Sequence, residues 1–225
     1  MSRLFALAPS IRSRSNRTGL FLALTAVALL LSATANAQFG APATTRVLDP
    51  AALRPPAGSR VAMVEFEDME CPDCARANPL VREAATKYNI PLVRHDFPLP
   101  MHNWSFNAAV NARWFDTKSK KIGDEYRDYI FANQISINNP GDLTQYSQSF
   151  AKSRGLALPF AVDPQGKLAA LVKADYALGQ RIGIEHTPTI WVVTATGKGA
   201  PFVEVLDRSK LYQMIDQAIA DTRGH

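Results

Sequence analysis

An α/β fold is predicted for this 225-residue chain: a central mixed sheet flanked by helices, with a block of further helices inserted into it. Three observations predict it. Short apolar runs at about 60–67 and 91–97 bracket a helical stretch, a strand–helix–strand succession that favours a right-handed parallel pair. Four helical stretches then follow one another between residues 104 and 183. The tail alternates like a hairpin and closes on an amphipathic helix.

A leader stands ahead of these elements. Arg3, Arg12, Arg14 and Arg17 form a basic start without an acid. GLFLALTAVALLLSA follows, with an apolar core of about 12–15 residues, short for a membrane span. Ala35-Asn36-Ala37 fits the small-x-small pattern that signal peptidases cut after. Residues 1–37 are therefore expected to be a signal peptide cleaved before Gln38, which implies a periplasmic or secreted protein. An uncleaved membrane anchor is the alternative. No cysteine lies near the cut, which argues against a lipid-anchored terminus. The net charge of +5 arises from 25 basic and 20 acidic residues. Four of the arginines belong to the leader, so the remainder is close to neutral and makes no case for nucleic-acid binding.

Residues 38–59, rich in Ala, Pro and Gly, read as an extension. The core is expected in two parts, 60–103 and 184–225, separated by an inserted helical subdomain at 104–183. About 190 residues after the leader suffice for one domain with a real core.

The elements can be justified in order. RVAMVEFED is apolar at successive positions, as a buried strand requires. From Pro72 the pattern turns helical through Ala75, Leu80, Ala84, Ala85 and Tyr88, with an interruption expected at Pro79. IPLVRHDFPL reads as the second strand. Helices are expected at 104–115, 125–134, 143–154 and 164–183. In the last, Leu168, Leu171, Val172, Leu178 and Ile182 recur at helical spacing. Gly155 and Gly183 suit helix ends. Strands at 189–194 and 201–206 flank a turn at Thr196–Gly199. Asp207 can cap a final helix that places Leu211, Ile215, Ala218 and Ile219 on one face.

The chemistry concentrates in EFEDMECPDCARANP. Cys71 and Cys74 are the only cysteines in the chain. Paired, they would close a loop of a few residues, which stabilises little by loop entropy. A C-x-x-C that opens a helix after a strand reads instead as a dithiol redox motif. At the helix N-terminus, unpaired N–H groups and the helix dipole favour a Cys71 thiolate. Cys74, one turn deeper, is placed to attack a mixed disulfide on Cys71. Pro72 at the first helical position costs no hydrogen bond. Half of a metal site is the competing reading, but structural zinc wants four ligands and there is no second C-x-x-C. No cofactor is expected.

Together these residues resemble the exported thiol–disulfide oxidoreductases of the thioredoxin superfamily, in particular the DsbA-like group. The likeness rests on CPDC after a strand, Glu65 six residues before Cys71, Pro79 five residues after Cys74, and Thr187-Pro188 after the helical block. It covers most of residues 60–223. It implies a thioredoxin fold with a helical insertion, a kink at Pro79 and a cis peptide before Pro188. A cis bond there would turn the Thr187 backbone toward the sulfurs, where it could pair with an extended substrate strand. Thr187 stands where the family often has an aliphatic residue. Pro72, Asp73, Thr187, Pro188 and His102 are the expected substrate-binding residues. Glu65, matched to a buried acid, is expected to take the proton from Cys74; a rim carboxylate paired with a cation is the alternative. His186 has similar standing to His102. Trp104, Phe106, Trp114 and Phe115 read as core packing rather than a substrate surface.

Glu67, Asp68, Glu70 and Asp73 are expected near the surface. A carboxylate ~8 Å from a thiolate disfavours it by at most ~2 kcal/mol at an effective dielectric of ~20, so these acids should raise the Cys71 pKa. Asp73 also replaces the histidine that many relatives carry. The resemblance therefore implies an oxidase of exported proteins, milder than the strongest members. Reductase or isomerase is the alternative direction, although 38–59 is too short for the extra dimerisation domain of isomerases. The expected partners are cysteine-containing exported proteins and a membrane quinone-linked or thioredoxin-like redox protein. Two other classes stay open: a copper carrier using Cys71, Cys74 and a histidine, and a redox-inactive chaperone-like module.

Overall fold

A computed structural model describes residues 46–195 and 199–223 of the chain. The expected leader and its cleavage site, residues 38–45 and most of the expected turn at 196–199 lie outside them.

The described elements are β1 (Val61–Glu67), α1 (Pro72–Tyr88), β2 (Leu92–Asp96), α2 (Ser105–Asp116), α3 (Lys120–Asn133), α4 (Pro140–Ser153), α5 (Lys167–Ile182), β3 (Thr189–Thr194), β4 (Phe202–Glu204) and α6 (Leu211–Thr222). The sheet runs β2-β1-β3-β4. β1 and β2 are parallel, with Glu65 opposite Arg94. β3 lies antiparallel to β1, and β4 antiparallel to β3. This mixed sheet, flanked by helices, is the thioredoxin fold.

Every residue of β1 is buried, its two glutamates included. Val61 and Met63 pack with Ala77 and Val81 of α1 and Ile215 of α6. Ala62, Val64 and Phe66 face the other way, toward Ile182 of α5 and Trp191 of β3. Each large apolar side chain sealed in this way contributes ~1.5–3 kcal/mol. Strand alternation then places Glu65 and Glu67 on the α1 side of the sheet.

Local chemistry sets the helix ends. α1 starts on Pro72, runs on past Pro79, and stops at Asn89 in the left-handed conformation at φ 50°. α3 begins at Lys120, earlier than expected, because the Ser119 hydroxyl accepts the Ile122 N–H at 3.1 Å. α4 likewise begins at Pro140, with the Asn139 side chain accepting from the N–H groups of Gly141 and Asp142. α5 ends at Gly183, φ +98°. Leu171, expected on its apolar face, is instead half exposed. β4 spans only three residues rather than 201–206. Asp207 caps a 3-10 turn, Arg208–Lys210, that leads into α6.

Trp104, Phe115, Tyr126 and Phe150 fill the core between α2, α3 and α4. Phe115 stacks on Tyr126 at 4.5 Å, and Trp104 Nε1–H donates to the Ile137 carbonyl at 3.1 Å. Phe106 and Trp114 pack only partly buried at its margin.

A buried ion cluster joins the helices to the sheet. Arg127 of α3 reaches Glu67 of β1 at 3.3 Å, Asp96 of β2 at 3.7 Å and Asp116 of α2 at 3.2 Å. Arg94 of β2 stands 3.5 Å from Glu67 and 3.7 Å from Glu65, and donates to Asn78 of α1.

Candidate active site

The loop between β1 and α1 delivers two sulfurs to the C-terminal edge of the sheet. Cys71 is the N-cap of α1 and uses no side chain of its own to cap it. The helix therefore begins with free N–H groups beside the Cys71 sulfur. Cys71 keeps 8% of its surface exposed, whereas Cys74 has none. Both are free thiols here. Cys71 Sγ lies 3.3 Å from the Thr187 carbonyl oxygen, a contact in which Cys71 donates only while it is protonated. The Thr187–Pro188 peptide is cis. The N–H of Asp68 donates to Cys74 Sγ at 3.4 Å.

The two thiols are driven apart chemically. Cys71 is pushed down to about 5, chiefly by a hydrogen bond from Cys74. Burial opposes this, and Thr187 and the N–H groups of Cys74 and Asp73 assist it. The Thr187 hydroxyl has no hydrogen-bond partner of its own. Cys74 is pushed up, first by burial, then by its neighbour Cys71, with Glu65 adding to it. One thiol of the pair is thus an anion at neutral pH and the other holds its proton.

Glu65 is buried below the pair, and its carboxyl is raised to about 8, chiefly by burial and next by the charge of Glu67. The nearby Arg94 and Arg208 pull the other way. Glu65 Oε2 has no hydrogen-bond partner.

The remaining acids correct the expectation of a negatively charged surface. Glu67 and Asp68 are buried, and Glu70 is half-buried. Each finds partners that the local sequence does not contain. Glu67 lies between Arg94 and Arg127. Asp68 accepts from the Leu99 N–H at 2.6 Å, the Glu70 N–H at 2.7 Å, the Ser105 hydroxyl and His102 Nδ1 at 2.7 Å. Glu70 Oε2 accepts from the N–H groups of Trp104 and Ser105, at 2.7 and 3.0 Å, and so caps α2. Asp73 is also half-buried, and it pairs with Arg208 at 2.6 Å and Arg76 at 3.1 Å. Burial works against the Asp73 anion, but these two arginines hold its carboxyl below the usual range. None of the four carboxylates figures among the main causes acting on Cys71, and Asp73 acts only through its backbone N–H, which lowers it, so the expected rise in its pKa is not met.

The expected site residues are placed as follows. Pro72 is the first residue of α1. His102 comes to the site through Asp68, whose own N–H holds Cys74. His186 is exposed, and its carbonyl accepts from the Thr189 hydroxyl. Three contributors had no local signal. Gln134 Nε2–H donates to the carbonyls of Met69 and Cys71, at 2.8 and 3.0 Å, from a 3-10 turn at Gln134–Ser136. Arg94 and Arg208 approach from other parts of the chain. Among the described residues no group of three or more His, Cys, Asp or Glu side chains is placed to hold a metal ion.

Fold and site together define a dithiol protein of thioredoxin architecture, with an asymmetric cysteine pair at a helix N-terminus and a cis-proline loop against it. A thioredoxin family model matches residues 57–201, and the chain belongs to that family. Among solved structures it is similar to α-DsbA1 of Wolbachia pipientis, with a TM-score of 0.58 at 17% identity over 75% of this chain and 92% of that one. DsbA2 of Pseudomonas aeruginosa gives 0.55 at 22% identity over 80% and 97%. ScsC of Proteus mirabilis gives 0.56 at 16% identity over 90% and 91%. Among curated proteins, the Na(+)/H(+) antiporter NhaA 1 of Salinispora arenicola is 28% identical over 178 residues, 76% of this chain and 25% of that protein. NhaA 3 of Salinispora tropica is 27% identical over 68% and 23%. The chain thus spans about a quarter of the length of the curated relatives it matches.

Proposed function

We propose that the protein is an exported thiol–disulfide oxidoreductase that oxidises cysteine pairs in other exported proteins. The observation that carries this reading is the division of labour between the sulfurs: Cys71 lowered to about 5 at the rim, Cys74 raised and sealed beneath it. Starting from the Cys71–Cys74 disulfide, a substrate thiolate attacks Cys71 Sγ, and Cys74 leaves as the thiolate. The substrate's second thiolate then attacks its own sulfur in the mixed disulfide, and Cys71 leaves. One disulfide is made, one is broken, and two electrons pass to the enzyme. A leaving group held as a stable anion speeds that last step, which suits Cys71.

Glu65 is assigned the proton of Cys74. Raised to about 8, it can hold that proton at neutral pH and give it up during exchange. Thr187 and Pro188 are assigned to substrate backbone, with Pro72, Asp73 and His102 at the rim of the same site. The export reading rests on the arginine-rich leader and on the likeness to a periplasmic thioredoxin-like protein of Salmonella enterica serovar Typhimurium. A membrane quinone-linked or thioredoxin-like protein is assigned the reoxidation of the reduced pair.

The test is to mix oxidised protein with a reduced, unfolded polypeptide carrying several cysteines. Substrate disulfides should appear as Cys71–Cys74 opens, one for one. Faster reduction of a substrate disulfide by the dithiol form would reverse the direction. Exchange in neither direction would remove the activity altogether.

A further inference from the structure

Arg208 lies 135 residues beyond Asp73 of the dithiol motif, yet it reaches both the backbone and the side chain of that residue. It belongs to the 3-10 turn between β4 and α6. Its Nη2–H donates to Asp73 Oδ1 at 2.6 Å and its Nη1–H to the Asp73 carbonyl oxygen at 3.2 Å. The guanidinium thus grips the residue between Pro72 and Cys74 at two points. It is also close enough to Glu65 to draw that buried carboxyl down. One cation therefore holds the acid of the motif and also acts through its charge on the buried Glu65. Arg76 adds a second contact to Asp73, but from a side chain that is 67% exposed, against 34% for Arg208. Exposed pairs of the Arg76 kind contribute little.

We propose that Arg208 is the counter-charge of the dithiol motif: by holding Asp73 it allows an acid beside Cys74 and keeps the Cys71 sulfur in its nucleophilic form. This rests on the function proposed above and assigns a further positioning residue to the same site. Without Arg208, only the exposed Arg76 would remain beside Asp73, and the repulsion of that acid on the first turn of α1 would act on a Cys71 thiolate with little to offset it. The fork geometry matters as well as the charge, since a guanidinium presents donors from two nitrogens in one fixed plane to the side-chain oxygen and the carbonyl, whereas an ammonium offers a single compact centre.

The test follows the Cys71 thiolate by ultraviolet absorbance and alkylation rate against pH in reduced protein. Arg208→Gln should raise the Cys71 midpoint by about one pH unit. It should also shift the glutathione equilibrium about tenfold toward the Cys71–Cys74 disulfide. Arg208→Lys should retain about half of the effect. Asp73→Asn should lower the midpoint slightly, and Asp73→Asn combined with Arg208→Gln should return it close to the wild-type value. A turn that merely anchors α6 would lower stability in Arg208→Gln and leave the midpoint alone, which overturns the proposal. So would an equal shift when Arg208→Gln is made on top of Asp73→Asn, because the pair would then not be the cause. The titration does not depend on exchange activity. A wild-type protein inactive in exchange contradicts the proposed function, whereas an unmoved midpoint contradicts the role of Arg208.

Discussion

The carbonyl oxygen of Thr187 lies 3.3 Å from Cys71 Sγ, although the two residues are 116 positions apart. The chain on either side of the helical block is thereby brought onto one sulfur. Thr187 also carries a buried hydroxyl without a hydrogen-bond partner, free to turn toward the sulfur, and its side chain helps to hold Cys71 down at about 5. Thr187→Val keeps the shape and removes that oxygen. The Cys71 midpoint should then rise by about 0.5–1 pH unit, read from alkylation rate against pH. An unchanged midpoint would leave the backbone and Cys74 as the whole cause.

Cys74 is sealed and protonated, so it is the group that leaves when a substrate thiolate attacks Cys71 and, in the reverse direction, the one that attacks a mixed disulfide on Cys71. Offered a substrate disulfide, Cys74→Ser should therefore trap one substrate sulfur on Cys71 as a mixed disulfide, with release of the other as a thiol, visible by mass spectrometry of the non-reduced protein. The reciprocal Cys71→Ser should trap almost none. Equal trapping by the two variants would contradict the assigned roles.

Glu65 makes stability depend on pH in a definite sense. Its carboxyl titrates at 4.5 in a model peptide and at about 8 when folded. Below about pH 4.5 it is neutral in both states, and its contribution is fully present. Between about 4.5 and 8 the unfolded chain loses the proton while the fold retains it, so stability falls as pH rises. Glu65→Gln removes this slope. Urea unfolding of the reduced protein should show the variant gaining on wild type across that window, on the order of 2–3 kcal/mol by pH 7. Its rate of mixed-disulfide resolution should drop about tenfold at the least. Parallel stability curves would show that Glu65 is ionised in the fold.

Glu67 and Arg127 couple the sheet to the helical block at 3.3 Å with almost no exposure on either side. Removing one partner leaves the other as an unpaired buried charge, so Arg127→Met should cost about 3–5 kcal/mol in urea unfolding. Glu67→Leu combined with Arg127→Met should recover a large part of that loss. A small cost for the single variant would mean that water already reaches the cluster.

The sheet, α1 and the cysteine pair were legible because their causes are local. β1 is apolar at every position except its two glutamates, Pro72 starts a helix, and a C-x-x-C needs only three residues to place its sulfurs one turn apart. The extended start of α3 was missed although Ser119 is a capping residue, since Gly123 and two lysines dilute the apolar spacing. The acids around the cysteines were misjudged for a different reason. Asp and Glu are rarely sealed unless paired, and their partners come from far along the chain: Arg127, Ser105, His102, Arg208. No window around Cys71 contains those residues, so the neutralisation of its surroundings is a property of the fold alone. The same holds for Gln134, which reaches the Cys71 carbonyl from 63 residues away.

The most direct measurement is the pH dependence of alkylation at each cysteine in the reduced wild-type protein, mapped by peptide mass spectrometry. The account predicts half-maximal reactivity of Cys71 near pH 5, with Cys74 still protected at the pH where an ordinary thiol, about 8.5, reacts freely. Two cysteines that titrate together in that ordinary range would contradict it.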